Sequence, residues 1–124
     1  MKKHLIILSI ALFAVSAFFV FRAPPAQSAS HDSVSYADDV RPILESRCGS
    51  CHMGLFVSAG LHMDTYASLM TGSQHGPVIV PGKADDSLLV KKLLEGKMPK
   101  RGPKLTPAQI QIIADWINAG ALDN

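Results

Sequence analysis

Both cysteines of this chain fall within one pentapeptide, Cys48-Gly49-Ser50-Cys51-His52. Two thiols three residues apart share one face of a helical turn. Such a pair can add to the two vinyl groups along one edge of a haem, and the adjacent imidazole can reach the iron. The spacing therefore reads as c-type haem attachment, with one covalent haem and its iron. A thioredoxin-like dithiol would need a strand before the pair, in a βαβ unit that the pattern lacks. A zinc site using Cys48, Cys51 and His52 lacks a convincing fourth ligand and a matching second pair.

The first residues give the motif a compartment. Met1-Lys2-Lys3-His4 leads into an apolar run over residues 5–21 whose only polar side chains are Ser9 and Ser16. The exit, Arg22-Ala23-Pro24-Pro25-Ala26-Gln27-Ser28-Ala29, is rich in small residues. A basic start, an apolar stretch and a small-residue exit make up a secretory signal, with cleavage expected near Ser28. The run is about 17 residues, at the lower limit for crossing a bilayer, so a retained membrane anchor is the other expectation. In both cases residues 1–29 are the export segment, residues 30–35 a linker and residues 36–124 the working domain. That domain is expected in the periplasm, or tethered outside the cytoplasm through residues 5–21. Covalent haem attachment of this type follows export, so leader and motif agree.

Charge and size narrow the classes further. Without Lys2, Lys3 and Arg22, nine basic residues face ten acidic ones, which gives no support for nucleic-acid binding. The distribution is uneven: residues 30–66 carry two basic and five acidic side chains, residues 83–104 seven basic and three acidic. Roughly 95 residues remain to fold, a small core that usually needs a staple. Two cysteines exclude a multi-disulfide scaffold. Burying an apolar macrocycle, at about 25 cal/mol per Å² removed from water, would supply one.

The periodicity predicts helices and no sheet. Tyr36, Val40, Ile43, Leu44 and Arg47 follow helical spacing, with Pro42 predicting a kink or a late start. Residues 53–82 read as loop with one short helix near 65–70, and a further helix over 87–94, with Asp86 or Ser87 as its candidate cap, is expected to stop at Gly96. Thr106-Pro107-Ala108-Gln109 is a capping box opening a helix whose apolar face is Ile110, Ile113, Ala114 and Ile117, with Gly120 as its stop. Val78-Ile79-Val80 is too short to build a sheet. An all-α domain of about three to five helices with long loops follows, and loops that long usually wrap something.

A second axial ligand has several candidates. Met53 follows His52 directly and cannot reach the far face of a macrocycle, while Met63 and Met70 stand where methionine commonly fills a core. Met98, in Gly96-Lys97-Met98-Pro99, lies between two helices where a loop can present it inward. His62 and His75 remain as the alternatives.

The chain resembles class I c-type cytochromes, and within them the short cytochrome c domains of the planctomycete type. The residues that carry the resemblance are Val40-x-Pro42-Ile43-Leu44, Cys48-x-x-Cys51-His52, Gly60-Leu61-x-Met63-Asp64-Thr65, Val80-Pro81-Gly82-Lys83, Ser87-Leu88-Leu89, Met98-Pro99, Leu105-Thr106 and Trp116-Ile117-x-x-Gly120-Ala121. The resemblance implies a cytochrome c-like fold wrapped around one covalent haem c, with its first and last helices packed together. It implies thioethers at Cys48 and Cys51, a proximal ligand at His52 and a distal one at Met98. Ala59 and His62 depart from the Gly and the basic residue often found there, and Met98-Pro99 lacks a second Pro.

The function expected from these residues is electron transfer by a His/Met-ligated iron cycling between Fe(II) and Fe(III), without catalytic residues of its own. Nothing is placed as a distal His–Arg pair for peroxide cleavage, so an enzyme is not expected. The basic side chains Lys91, Lys92, Lys97, Lys100, Arg101 and Lys104 suit redox partner proteins with acidic docking surfaces. The alternative is a haem-based sensor or small-ligand binder with a displaceable distal ligand.

Overall fold

A computed structural model of the chain describes residues 33–124, so the export segment expected at residues 1–29 lies outside the described residues. Four α-helices are present among the described residues, and no strand: α1 (Arg41–His52), α2 (Tyr66–Thr71), α3 (Leu88–Leu94) and α4 (Pro107–Asn118). The all-α reading holds. None of these helices is long and apolar enough to cross a membrane.

The predicted irregularity at Pro42 takes a specific form. Residues Tyr36–Val40 make a wide π-turn in which the Arg41 amide donates to the Tyr36 carbonyl, and α1 continues from it. Pro42 has no N–H to continue the ordinary ladder, so the turn before it widens. α1 extends further than its apolar pattern suggests and runs through both cysteines to His52.

Linker and domain are joined differently from the expected boundary at residue 36. Ser35 caps the π-turn by accepting the Asp38 amide, and its hydroxyl donates to the Asn124 carbonyl at 2.8 Å. The amides of Tyr36 and Ala37 donate to the Asn124 side chain and carbonyl, each at 2.9 Å. Val34 packs on the core as well. The first turn and Asn124 are thus tied together by both backbone and side-chain hydrogen bonds.

Side chains complete that junction. Tyr36 lies over Trp116 with ring centroids 5.4 Å apart, and Tyr66 meets Tyr36 edge-on at 5.3 Å. Trp116, the largest fully buried side chain, donates its indole N–H to the Leu122 carbonyl, and Tyr66 donates its hydroxyl to Ala121. Val40, Leu44, Ile113 and Ile117 belong to the same buried core, in which α4 packs on the π-turn of Tyr36–Val40 and on α3. Aromatic pairs in this offset geometry add about 1 kcal/mol each beyond their buried area.

α4 begins as the capping box predicts, with Thr106 accepting the Gln109 amide and the Gln109 side chain accepting the Thr106 amide. Gly120, just past the helix end, has φ of 109°, which favours glycine. α3 differs from expectation at its start. Ser87 precedes the helix, but its hydroxyl does not cap it; it donates to the Lys83 carbonyl and accepts the Val80 amide, both at 2.9 Å. The fully buried Ser87 thereby pins residues 80–87 beneath α3.

Candidate functional site

α1 delivers the three motif residues at its last turn. Cys48 is half-buried, Cys51 is exposed, and His52 is buried at 8% relative exposure. Burial pushes the Cys48 thiol up to about 11, with the neighbouring Cys51 adding to the shift. The His52 ring is held from behind: Nδ1 lies 3.1 Å from the Leu61 carbonyl oxygen. A carbonyl only accepts, so Nδ1 carries the proton and Nε2 keeps its lone pair for a ligand.

The loop after α1 exists to place that carbonyl. The Met63 amide donates to the His52 carbonyl at 2.7 Å, and the Gly54 amide donates to the Asp64 carboxylate at 2.9 Å. The Gly54 bond, with help from His62, holds the Asp64 carboxyl below its usual range. Thr65 and Ser68 then form a capping box that starts α2. Gly72 turns the chain back with φ of 90°; a Cβ there would come within 2.5 Å of the Gly76 carbonyl oxygen.

Cys48, Cys51, His52 and Met98 all line one cavity of about 350 Å³. Leu61 and Met63 form its wall beside His52, and Val78, Leu89 and Leu93 face it from the second half of the chain. Leu89 and Leu93 are four apart on α3, so one helix face supplies both. Met98 reaches the cavity because α3 ends in a tight turn. The Gly96 amide donates to Leu93, and the amides of Lys97 and Met98 both donate to the Lys92 carbonyl.

Every charged residue that lines the cavity is basic: Arg47, Lys92, Lys100 and Arg101. The Nε of Arg47 is buried and has no hydrogen-bond partner. The other sequence candidates are distributed differently. His75 reaches the cavity rim as an exposed residue, while His62 stands outside it beside Asp64 at 3.4 Å. The Met53 sulfur lies against Gly49, and Met70 packs at the edge of the core.

Residues 48–102 match the family model described as Planctomycete cytochrome C. Over that stretch the chain is similar to planctomycete-type cytochrome c domains. The stretch begins on the first thiol and contains Cys51, His52 and Met98 as well. No match is found among curated proteins or among solved structures.

A cytochrome c domain implies covalent haem c, and the residues here fit that group. An apolar cavity suits the macrocycle, the free Nε2 of His52 suits the iron, and the all-basic charge suits two carboxylates. The orphaned Nε–H of Arg47 is a buried donor awaiting an acceptor of that kind. Arg47, Leu61 and the apolar wall from α3 were not singled out by their sequence pattern. Adjacency to Cys48 was the signal available for Arg47, and the i, i+4 pair Leu89 and Leu93 was the signal for the wall.

Proposed function

We propose that this chain is a mono-haem electron carrier whose iron is held between His52 Nε2 and Met98. The observation that carries this reading is the His52 tautomer. A buried imidazole with its proton committed to a backbone carbonyl presents a lone pair into an apolar cavity bordered by two cysteines. Bound there, a haem supplies a one-electron Fe(II)/Fe(III) couple.

The chain's own residues favour Met98 as the second ligand. Met63 also lines the cavity, but its amide is bonded to the His52 carbonyl, which keeps it on the His52 side. Met53 is turned onto Gly49 and Met70 does not line the cavity. A thioether opposite a histidine raises the reduction potential relative to two histidines. With both positions filled, nothing needs to bind or move when the electron transfers.

Lys92, Lys100 and Arg101 border the cavity and offer a cationic contact for acidic redox proteins. Lys97 pairs with Glu95 at 2.8 Å and Lys104 donates to the Pro99 carbonyl, so these two serve the loop rather than a partner. The work is placed outside the cytoplasm, in keeping with the leader-like residues 1–29.

The test is an optical spectrum of the exported protein in both oxidation states, with its intact mass. Expected are a mass increased by one haem, a low-spin spectrum, and a thioether-to-iron band in the ferric form. A bare polypeptide mass would end the reading.

A further inference from the structure

Resting on the haem reading above, one residue of the cavity has a role that the motif does not assign. Arg47 immediately precedes the first thiol and lines the cavity. Its Nε–H is buried without a partner. A guanidinium remains charged at any pH a protein tolerates, so a buried N–H of this group left unbonded is costly. The acidic side chain nearest in sequence, Glu45, is engaged by Arg41 at 2.7 Å on the exposed side of α1. None of the residues that line the cavity is acidic. The missing acceptor must therefore come from what the cavity holds.

Haem carries two carboxylates, and each vinyl-bearing pyrrole is joined by one methine bridge to a carboxylate-bearing one. The carboxylates lie along the edge opposite the vinyl groups, so Arg47 would reach one of them along the side of the ring that joins the two edges. Lys92, Lys100 and Arg101 have no comparable orphaned donor. We propose that Arg47 holds a haem propionate through its buried Nε–H and, with the thioethers already setting the ring's orientation, fixes the position of that propionate. It is a positioning residue: it touches the periphery of the group and leaves the iron's ligands alone. Charge-assisted hydrogen bonds of this kind are short and about twice as strong as neutral ones.

The experiment uses exported holoprotein as wild type, Arg47→Lys and Arg47→Gln, each checked for covalent haem and an unchanged low-spin spectrum. Resonance Raman reads the propionate bending band, and spectroelectrochemistry reads the midpoint. The band is expected to move in Arg47→Lys, whose ammonium lies beyond the ε position and cannot reproduce the Nε–H, whereas Arg47→Gln keeps an uncharged N–H at that position and reports the loss of charge. Loss of one cation beside the ring in Arg47→Gln should lower the ferrous-to-ferric ratio at the wild-type midpoint by about threefold or more, while Arg47→Lys stays closer to wild type. A propionate band unchanged in Arg47→Lys overturns the proposal, since charge alone would then suffice. Should Arg47→Gln fail to accumulate, the Arg47→Lys band decides by itself. A colourless wild-type protein would instead remove the haem reading, and it is seen before any variant is compared.

Discussion

His52 and Leu61 are joined by a 3.1 Å hydrogen bond between ring Nδ1 and the backbone carbonyl oxygen. Because the acceptor is backbone, ring orientation is set by the path of residues 53–63 rather than by another side chain. The Met63 amide closes the same loop on the His52 carbonyl at 2.7 Å. Outer hydrogen bonds of this type fix a ligating histidine's tautomer and raise its basicity.

That bond has a direct signature. In the ferrous protein the Nδ1 proton of His52 should be visible by NMR and persist in deuterated buffer, unlike that of the exposed His75. Exchange as rapid as that of His75 would withdraw the tautomer assignment.

Met98 is the residue on which the carrier and sensor readings part. Wild-type ferrous protein is expected not to bind carbon monoxide at neutral pH, because both axial positions are filled. Met98→Ala should bind it stoichiometrically, lose the thioether-to-iron band and show a lower midpoint, as removal of a thioether ligand dictates. Rapid binding to the wild type would favour the sensor.

Much of the fold was legible where local chemistry decides it. The capping box at Thr106 and Gln109 is a short-range device, and α4 begins where that pair requires. The pentapeptide at residues 48–52 likewise carries its spacing on its face. What escaped the sequence depends on partners distant along the chain. Ser87 resembles a cap by position, yet its hydroxyl is taken by Lys83 and Val80, a choice set by how residues 80–87 pack. The Leu61 carbonyl could not be picked out either, since every residue has one and only the loop path selects it. Arg47 belongs to the same class: a lone basic residue on a helix says nothing until its Nε is found buried and unpaired.

The buried core gives a mutational expectation. Leu44 on α1 is fully buried in that core, so Leu44→Ala in the holoprotein should cost about 2–5 kcal/mol in denaturant unfolding. Leu55, at 92% exposure, provides the control, and Leu55→Ala should stay within about 0.5 kcal/mol of wild type.

Tyr36 adds a pH dependence to the same core. Burial against Trp116 and Tyr66 raises its phenol above the ordinary 10.0, with the nearby Arg41 working in the opposite direction. The folded state holds the proton more tightly than the unfolded chain does. Its contribution is therefore complete below pH 10 and is lost as pH rises through the folded value. Stability of the holoprotein should fall above pH 10, and the fall should be smaller in Tyr36→Phe.

The basic cavity border predicts how the domain meets its partner. Among the described residues Lys92, Lys100 and Arg101 form no ion pair, and the pairs present involve Arg41, His62 and Lys97 instead. Exposed charges attract over about 8–10 Å at physiological ionic strength, so steering by these three should be sensitive to salt. Stopped-flow electron transfer to an acidic redox protein is expected to slow as ionic strength rises, with most of the change in the association step. Lys100→Glu combined with Arg101→Glu should lower that rate by about tenfold or more at low salt and flatten its salt dependence, while leaving the midpoint and spectrum close to wild type. A rate that is flat from low to high salt in the wild type would rule out steering and leave the border as an ordinary solvated face.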